Sequence, residues 1–319
     1  MQIDIPCNGL GRFRQALTNL DICGPDRILL AISGGPDSLA LLLLAHQACP
    51  GQLVAATVDH KLRPESAKEA EFVGDLCRDI DVPHMILRPA QPISGNIQSS
   101  ARAVRYALLE QAAHDHACAY IATAHHGDDQ LETMLMRLAR GSGVDGMAAI
   151  RAKNGRIVRP LLGFTKAELE QICAAAGVEP VRDPSNDNPE FDRVAMRQWI
   201  AQASHPFQIE RTNRTASALT DAADALSWMT AVLAAERTTQ VDSAITCDAN
   251  ALPRELQRRL LLHCIAQLEP ALHPKGEAID RLLIELEAGK TAMIGNILCR
   301  GGTRWTLTPA PPRRGGGVK

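Results

Sequence analysis

The sequence predicts an α/β fold: a parallel sheet with helices on both faces, followed by a smaller, mainly helical domain. Three observations carry this. Short apolar runs suited to buried strands begin at Ile28, Leu53, His84 and Ala119, at intervals of 25, 31 and 35 residues. Stretches of helical periodicity, 38–46, 65–78 and 99–113, fill the intervals, which is the spacing of right-handed crossovers. After Gly141 the alternation stops and alanine-rich helical patterns take over.

In chain order, the strand 28–32 is bounded by Gly34-Gly35 and runs into a helix from Ser38; strands follow at 53–58, 84–87 and 119–122. Ligands of such sheets sit at the carboxyl ends of the strands, so function is expected just after Ile32, Val58, Leu87 and Ala122. Residues 141–146 read as a flexible turn and 156–162 as a short extended piece. Thr165 is placed to cap a helix over 166–176, with Glu168 at its third position and Gly177 past its end. Helices are expected over 204–236, 254–268 and 276–287, then a hairpin closed near Gly301-Gly302. The expected domains are 1–200 and 201–308, with a disordered tail at 309–319 that lacks apolar content.

With 319 residues, 45% apolar and 22% charged, the chain has the composition of a globular protein of about two domains. Ten aromatic rings are too few for a platform that stacks successive bases. Net charge is −2, yet residues 136–166 hold seven basic side chains against Asp145 alone, and 288–319 hold six with no acid. Basic stripes on a neutral body suit a phosphate-backbone partner met locally. Nine cysteines occur with no two closer than 16 positions, which excludes a zinc ribbon, a redox pair and a cysteine-held iron–sulfur cluster of ordinary spacing. They read as reduced core thiols. No apolar run is long enough to span a bilayer, so a soluble, cytoplasmic protein is expected, with no membrane partner.

The sharpest motif is Ser33-Gly34-Gly35-Pro36-Asp37-Ser38, between a strand and a helix. Adjacent glycines admit a phosphate close to the backbone, the helix start offers free N–H groups, and two hydroxyls add donors; a pyrophosphate fits. Asp37 beside phosphates makes sense as a ligand of Mg²⁺. The string lacks the Gly-Lys-Ser/Thr of a Walker loop and is not GxGxxG. Asp59 and His60 end the second strand, where they can meet a nucleotide. Asp129 and Glu132, three apart on one helix, share a face and call for a cation between them, either Mg²⁺ or an ammonium. Arg102 and Arg105 are likewise three apart and either reach phosphates or lie over the surface.

In this setting SGGPDS resembles the PP-loop ATP pyrophosphatases, and the rest of the chain resembles their tRNA(Ile)-lysidine synthetase family. The resemblance spans residues 27 to about 200. It rests on Val58-Asp59-His60-Lys61-Leu62-Arg63, Gly95-Asn96 with Ala101-Arg102 and Arg105-Tyr106, and the run from Thr123 through His125-His126-Gly127-Asp128-Asp129 to Glu132-Thr133. Arg140-Gly141-Ser142-Gly143, Arg159-Pro160-Leu161-Leu162 and Asp183-Pro184-Ser185-Asn186 complete it. One position departs: Val194 stands where the family usually has Asn.

The resemblance implies an adenine nucleotide alpha hydrolase-like (Rossmann-like) N-terminal domain and ATP with Mg²⁺ as cofactors. The substrates it implies are free lysine and an isoleucine tRNA with a CAU anticodon, whose wobble cytidine is adenylated and then joined to lysine at C2. Asp37, Asp129, Glu132 and His60 are the implied catalytic residues. Ser33, Gly34, Gly35, Pro36, Asp37, Ser38, Asp59, His60 and Arg102 would bind the nucleotide, with Asp37 on the metal. Asp129, Glu132, Arg137, Arg140, Arg193 and Arg197 would meet lysine or tRNA. The proton acceptor for the lysine amine is one of Asp129, Glu132 and the His125–His126 pair. A homodimer is among the assemblies this allows. A tRNA thiolase of the same group is disfavoured by the absence of CxxC, and a non-catalytic RNA-binding protein by the intact carboxylates.

Overall fold

A computed structural model of the chain describes residues 7–22, 24–60, 66–91, 97–181, 192–202 and 205–310. Of the strings above, Lys61-Leu62-Arg63, Gly95-Asn96 and Asp183-Pro184-Ser185-Asn186 lie outside the described residues, as does the expected tail from 311 onward.

The chain divides into two compact units, 1–220 and 221–319. The first contains α1 (Cys7–Asn19), β1 (Arg27–Ala31), α2 (Pro36–Ala48), β2 (Leu53–Val58), α3 (Ser66–Asp79), β3 (His84–Leu87), α4 (Ile97–Asp115), β4 (Cys118–Ala122) and α5 (Gly127–Ala139). A single helical turn α6 (Val144–Met147), the short strands β5 (Lys153–Asn154) and β6 (Ile157–Val158), and helices α7 (Lys166–Ala175) and α8 (Asp192–Gln202) follow. The long α9 (Ile209–Arg237) begins in this unit.

The sheet runs β3-β2-β1-β4-β6-β5, parallel except for the edge strand β5. Alternation along the strands feeds two cores. Ile28, Leu30, Leu53 and Ala55 face α1, α2, α3 and α7, while Leu29, Val54 and Ala56 face α4. Helix α2 is buried continuously from Ser38 to Ala45, which is why its sequence is apolar all round rather than on one stripe. Chain order reverses between β1 and β4, and that switch point opens a crevice at the strands' carboxyl ends.

The units part at Thr220, twenty residues beyond the division expected at 200. The first turns of α9 pack in the first unit: Asn213 Nδ2 donates to the Leu162 carbonyl at 2.6 Å, and Thr212 is buried. The second unit holds β7 (Thr238–Val241), β8 (Ala244–Cys247), α10 (Arg254–Leu268), α11 (Gly276–Glu287), β9 (Thr291–Ile294), β10 (Ile297–Arg300) and β11 (Trp305–Pro309). Its strands form an antiparallel sheet, β7-β8-β11-β10-β9, so this unit carries more strand than the helical pattern and single hairpin foretold. The turn near Gly301-Gly302 does join two paired strands, β10 and β11. A tighter one precedes it: Ile294 pairs with Ile297 across Gly295-Asn296, and Gly295 has φ +55°, as a two-residue hairpin loop requires. Leu260, Leu261, Ile279, Leu283 and Leu286 pack against Ile245, Cys299 and Leu307 to form the core. Among the described residues no helix is long and apolar enough to cross a membrane. The seven cysteines with described side chains are buried and form no disulfide.

Candidate functional site

The crevice at the switch point holds a cavity of about 390 Å³. Its floor is the loop between β1 and α2. Gly34 has φ +86°, a conformation that side chains rarely adopt, and this lets the loop fold under the start of α2. Inside the loop the Ser33 N–H donates to Ser38 Oγ at 3.1 Å, and Ser38 Oγ donates to the Gly35 carbonyl at 3.0 Å. Gly35 is the N-cap of α2 with no side chain to occupy the helix start, and Pro36 follows within the first turn. The free N–H groups and partial positive charge of a buried helix therefore face the cavity beside Ser33, Gly35, Asp37 and Ser38.

One wall comes from α4 and the carboxyl end of β4. Arg102 and Arg105 line it; Arg105 Nε is buried with no partner, and both guanidiniums lie near the Tyr106 ring, at 5.0 and 5.6 Å from its centroid. Arg159, buried and donating to the Arg151 carbonyl at 2.6 Å, adds a third cation close to His125. Among the described residues no carboxylate pairs with these three arginines. A positive wall without counter-charge is an anion site. His125 stands within it, its Nδ1 2.9 Å from Thr123 Oγ1. Burial, and then Arg159, Arg105, Arg102 and Arg193, push its pKa down to about 3, so its imidazole is neutral.

The adjacent His126 is the reverse. Burial disfavours its charge, but Asp128 and Asp37, at 3.3 and 3.6 Å, and Asp129, also at 3.6 Å, outweigh that and raise its pKa to about 10. Its stabilising charge is therefore fully present below about pH 6.5, the value of an unfolded histidine, and is lost as pH rises toward 10. The thermal midpoint of the ligand-free protein is expected to fall between pH 7 and 10, and to fall less steeply in His126→Gln; equal slopes would contradict this.

Helix α5 begins at Gly127, where the chain is crowded. A Cβ there would lie 2.1 Å from Ile209 Cγ2 and 3.0 Å from the Phe164 carbonyl, which also accepts the Gly127 N–H at 2.8 Å. Gly127→Ala should cost about 2 kcal/mol of stability in denaturant unfolding and displace the first turn of α5. A variant as stable as the parent would show that α9 yields freely.

Asp129 and Glu132 do share a face, as their spacing predicts, and the cations between them belong to the protein. Arg193 donates to Asp129 Oδ1 at 2.9 Å and Glu132 Oε2 at 3.0 Å; Arg197 donates to Glu132 Oε1 at 2.7 Å and Oε2 at 3.1 Å. The expected carboxylate pair and the expected arginine pair thus form one cluster. Glu132 is buried with both oxygens occupied, while Asp129 and Arg193 also line the cavity. Val194, at the position that departs from the family pattern, is buried.

Of the other expected residues, His60 lines the cavity; its pKa is lowered by burial and by Arg105, and its Nδ1 is buried with no partner. Asp59 does not line the cavity. Its carboxylate accepts from Ser66 Oγ at 2.8 Å and Arg88 Nε at 3.2 Å, tying the end of β2 to α3 and the residue after β3. Arg137 and Arg140 are exposed at the far end of α5, about 12 Å or more along the axis from Asp129.

Asp37 is half-buried, and its Oδ1 is buried with no hydrogen-bond partner. Among the described residues no group of three or more His, Cys, Asp or Glu is arranged to hold a metal ion. One open carboxylate beside a helix start with free N–H groups suits a Mg²⁺ ion that takes most of its ligands from elsewhere, so the chemistry of Asp37 fits that ion.

Comparison with known proteins gives this arrangement relatives. Residues 11–204 match the family described as PP-loop domain. A tRNA(Ile)-lysidine synthase of Zymomonas mobilis is 40% identical over 294 residues, covering 89% of this chain and 89% of its own. Another, of Novosphingobium aromaticivorans, is 37% identical over 313 residues, covering 95% and 94%. The solved structure of the U34-tRNA thiolase NcsA from Methanococcus maripaludis superposes with a TM-score of 0.57 at 15% identity, over 67% of this chain and 78% of that one, a likeness of fold alone. With its loop, its HHGDD helix start and its relatives in agreement over nearly the whole length, the chain belongs to the tRNA(Ile)-lysidine synthase family of PP-loop proteins.

Proposed function

We propose that the protein uses ATP to join lysine to C2 of the wobble cytidine in a CAU anticodon of an isoleucine tRNA, so that the codon read changes from AUG to AUA. The observation that carries the chemistry is the single cavity in which the glycine loop, Asp37 and the uncompensated arginines converge. The loop from Ser33 to Ser38 receives the polyphosphate, and Arg102 and Arg105 receive its negative charge from the opposite wall. Asp37 would hold Mg²⁺ there, which screens the phosphates from one another and makes pyrophosphate a better leaving group.

The cytidine O2 attacks the α-phosphorus and pyrophosphate departs, leaving an O-adenylated base. The carbonyl oxygen, a poor leaving group, becomes part of AMP, a good one. The ε-amine of lysine then attacks C2, AMP leaves, and the carbon–nitrogen bond is made. The base must be splayed out of the anticodon stack to reach the cavity.

A neutral amine needs a proton acceptor. His126 already holds its proton, and Asp129 and Glu132 are engaged by guanidiniums. His125 keeps a neutral imidazole at the cavity wall, and phosphates that offset Arg102, Arg105 and Arg159 raise its basicity at the moment of need. Asp129, which also lines the cavity, receives the substrate ammonium. Exposed Arg137 and Arg140 and the region 201–308 hold tRNA through its phosphates. A reducing cytoplasm accords with the buried free thiols, and a homodimer stays among the assemblies this reading allows.

The test is ATP–pyrophosphate exchange. Exchange that depends on an isoleucine tRNA bearing CAU is expected; exchange absent with every tRNA would overturn the enzyme reading.

A further inference from the structure

The loop that faces the cavity is braced from behind. A backbone that holds phosphate presents N–H groups and must turn its carbonyl oxygens away, since carbonyl and phosphate oxygens repel. Here each carbonyl from Gly34 to Pro36 is occupied by a donor. That of Gly34 accepts the Val181 N–H at 3.0 Å, and that of Gly35 accepts the Ser38 hydroxyl and the Leu39 N–H, both at 3.0 Å. The Pro36 carbonyl accepts the Cys173 thiol at 3.3 Å.

Two of these donors come from outside the loop and its helix. Cys173 is on α7 and Val181 lies six residues beyond that helix; neither lines the cavity. The brace is itself anchored. Thr165 and Glu168 close a capping box at the start of α7, Arg12 of α1 pairs with Glu168 and donates to the Gly163 carbonyl, and the same guanidinium lies 4.4 Å over the Phe164 ring. Cys173 is 1% exposed, and burial pushes its thiol up to about 12, so the S–H that the bond needs is retained at any physiological pH.

We propose that Cys173 is a positioning residue for the nucleotide loop. By drawing the Pro36 carbonyl back, in concert with Val181 on Gly34, its thiol sets the direction of the N–H groups at the start of α2 and of the Asp37 side chain that follows. The inference rests on the reading that this loop binds ATP.

The donor is separable from the volume. Cys173→Val removes the hydrogen bond at larger size, Cys173→Ala removes it at smaller size, and Cys173→Ser keeps a donor. ATP is titrated calorimetrically into each full-length variant with Mg²⁺ present, alongside thermal melts. Val and Ala should each weaken ATP binding about fivefold, the worth of one hydrogen bond, with Ser close to the parent and the KM for lysine unchanged. ATP binding at parental strength in a folded Val or Ala variant would overturn the proposal. So would a Ser variant as weak as Val, because that would make volume and not the donor responsible. A parent chain that binds no ATP would instead remove the nucleotide reading itself, a separate and recognisable failure.

Discussion

Asp37→Asn is expected to lower tRNA-dependent ATP–pyrophosphate exchange by about 100-fold. The substitution keeps the size of the side chain, removes its charge and exchanges one acceptor oxygen for an N–H donor. In the parent, Oδ1 is buried with no protein partner, a costly arrangement unless a cation completes it. Electrostatics also gives the sign of a control. Without divalent ions, a carboxylate beside the phosphates repels them, so Asn should bind ATP at least as well as Asp. With Mg²⁺ the order reverses in favour of the parent. The same order of affinities in both buffers would show that Asp37 does not meet the ion.

His125→Ala should separate the two chemical steps. Pyrophosphate exchange reports adenylation and should persist, whereas transfer of lysine to tRNA should fall about 100-fold, the usual worth of a positioned proton acceptor. His125 titrates at about 3, below its unfolded value of about 6.5. Below pH 6.5 the unfolded chain therefore takes up a proton that the folded chain does not, and stability is lost as pH falls toward 3. The Ala variant should lose that acid sensitivity. Equal losses in exchange and transfer would place His125 in the first step and remove it as the acceptor.

The neighbouring histidines show what sequence could and could not tell. Two identical residues, one position apart, have pKa values displaced in opposite directions; the helix start at His126 with Asp128 and Asp129 is local, but Asp37 and the arginines that complete the contrast are not. Arginines from α4, α8 and the position just after β6 surround one, and carboxylates from α2 and α5 surround the other. By contrast, the four strand positions β1 to β4, the capping box of α7 and the loop at the switch point were legible. Each rests on local periodicity, cap chemistry or glycine placement, which the chain carries within ten residues.

The carboxylate pair shows the same limit from another side. A spacing of three placed Asp129 and Glu132 on one face, as the structure has them. Their counter-charges come from Arg193 and Arg197, 61 to 65 residues later, a pairing that only the packing of α5 on α8 creates. Asp59 ends a strand, which sequence shows, but that its carboxylate accepts from Ser66 and Arg88 depends on packing that sequence does not show. Strands β7 and β8 escaped notice because each has only four residues, and β7 is largely exposed, so its composition is that of a loop. Cys173 carried no signal at all; its importance lies in a contact across 137 residues.

The most direct measurement of the account is incubation of the full-length protein with ATP, labelled lysine and total tRNA, followed by nucleoside analysis. The label should appear in a single modified nucleoside derived from the wobble cytidine of the CAU isoleucine tRNA, and only when ATP is present. Label in any other nucleoside, or incorporation without ATP, would contradict it.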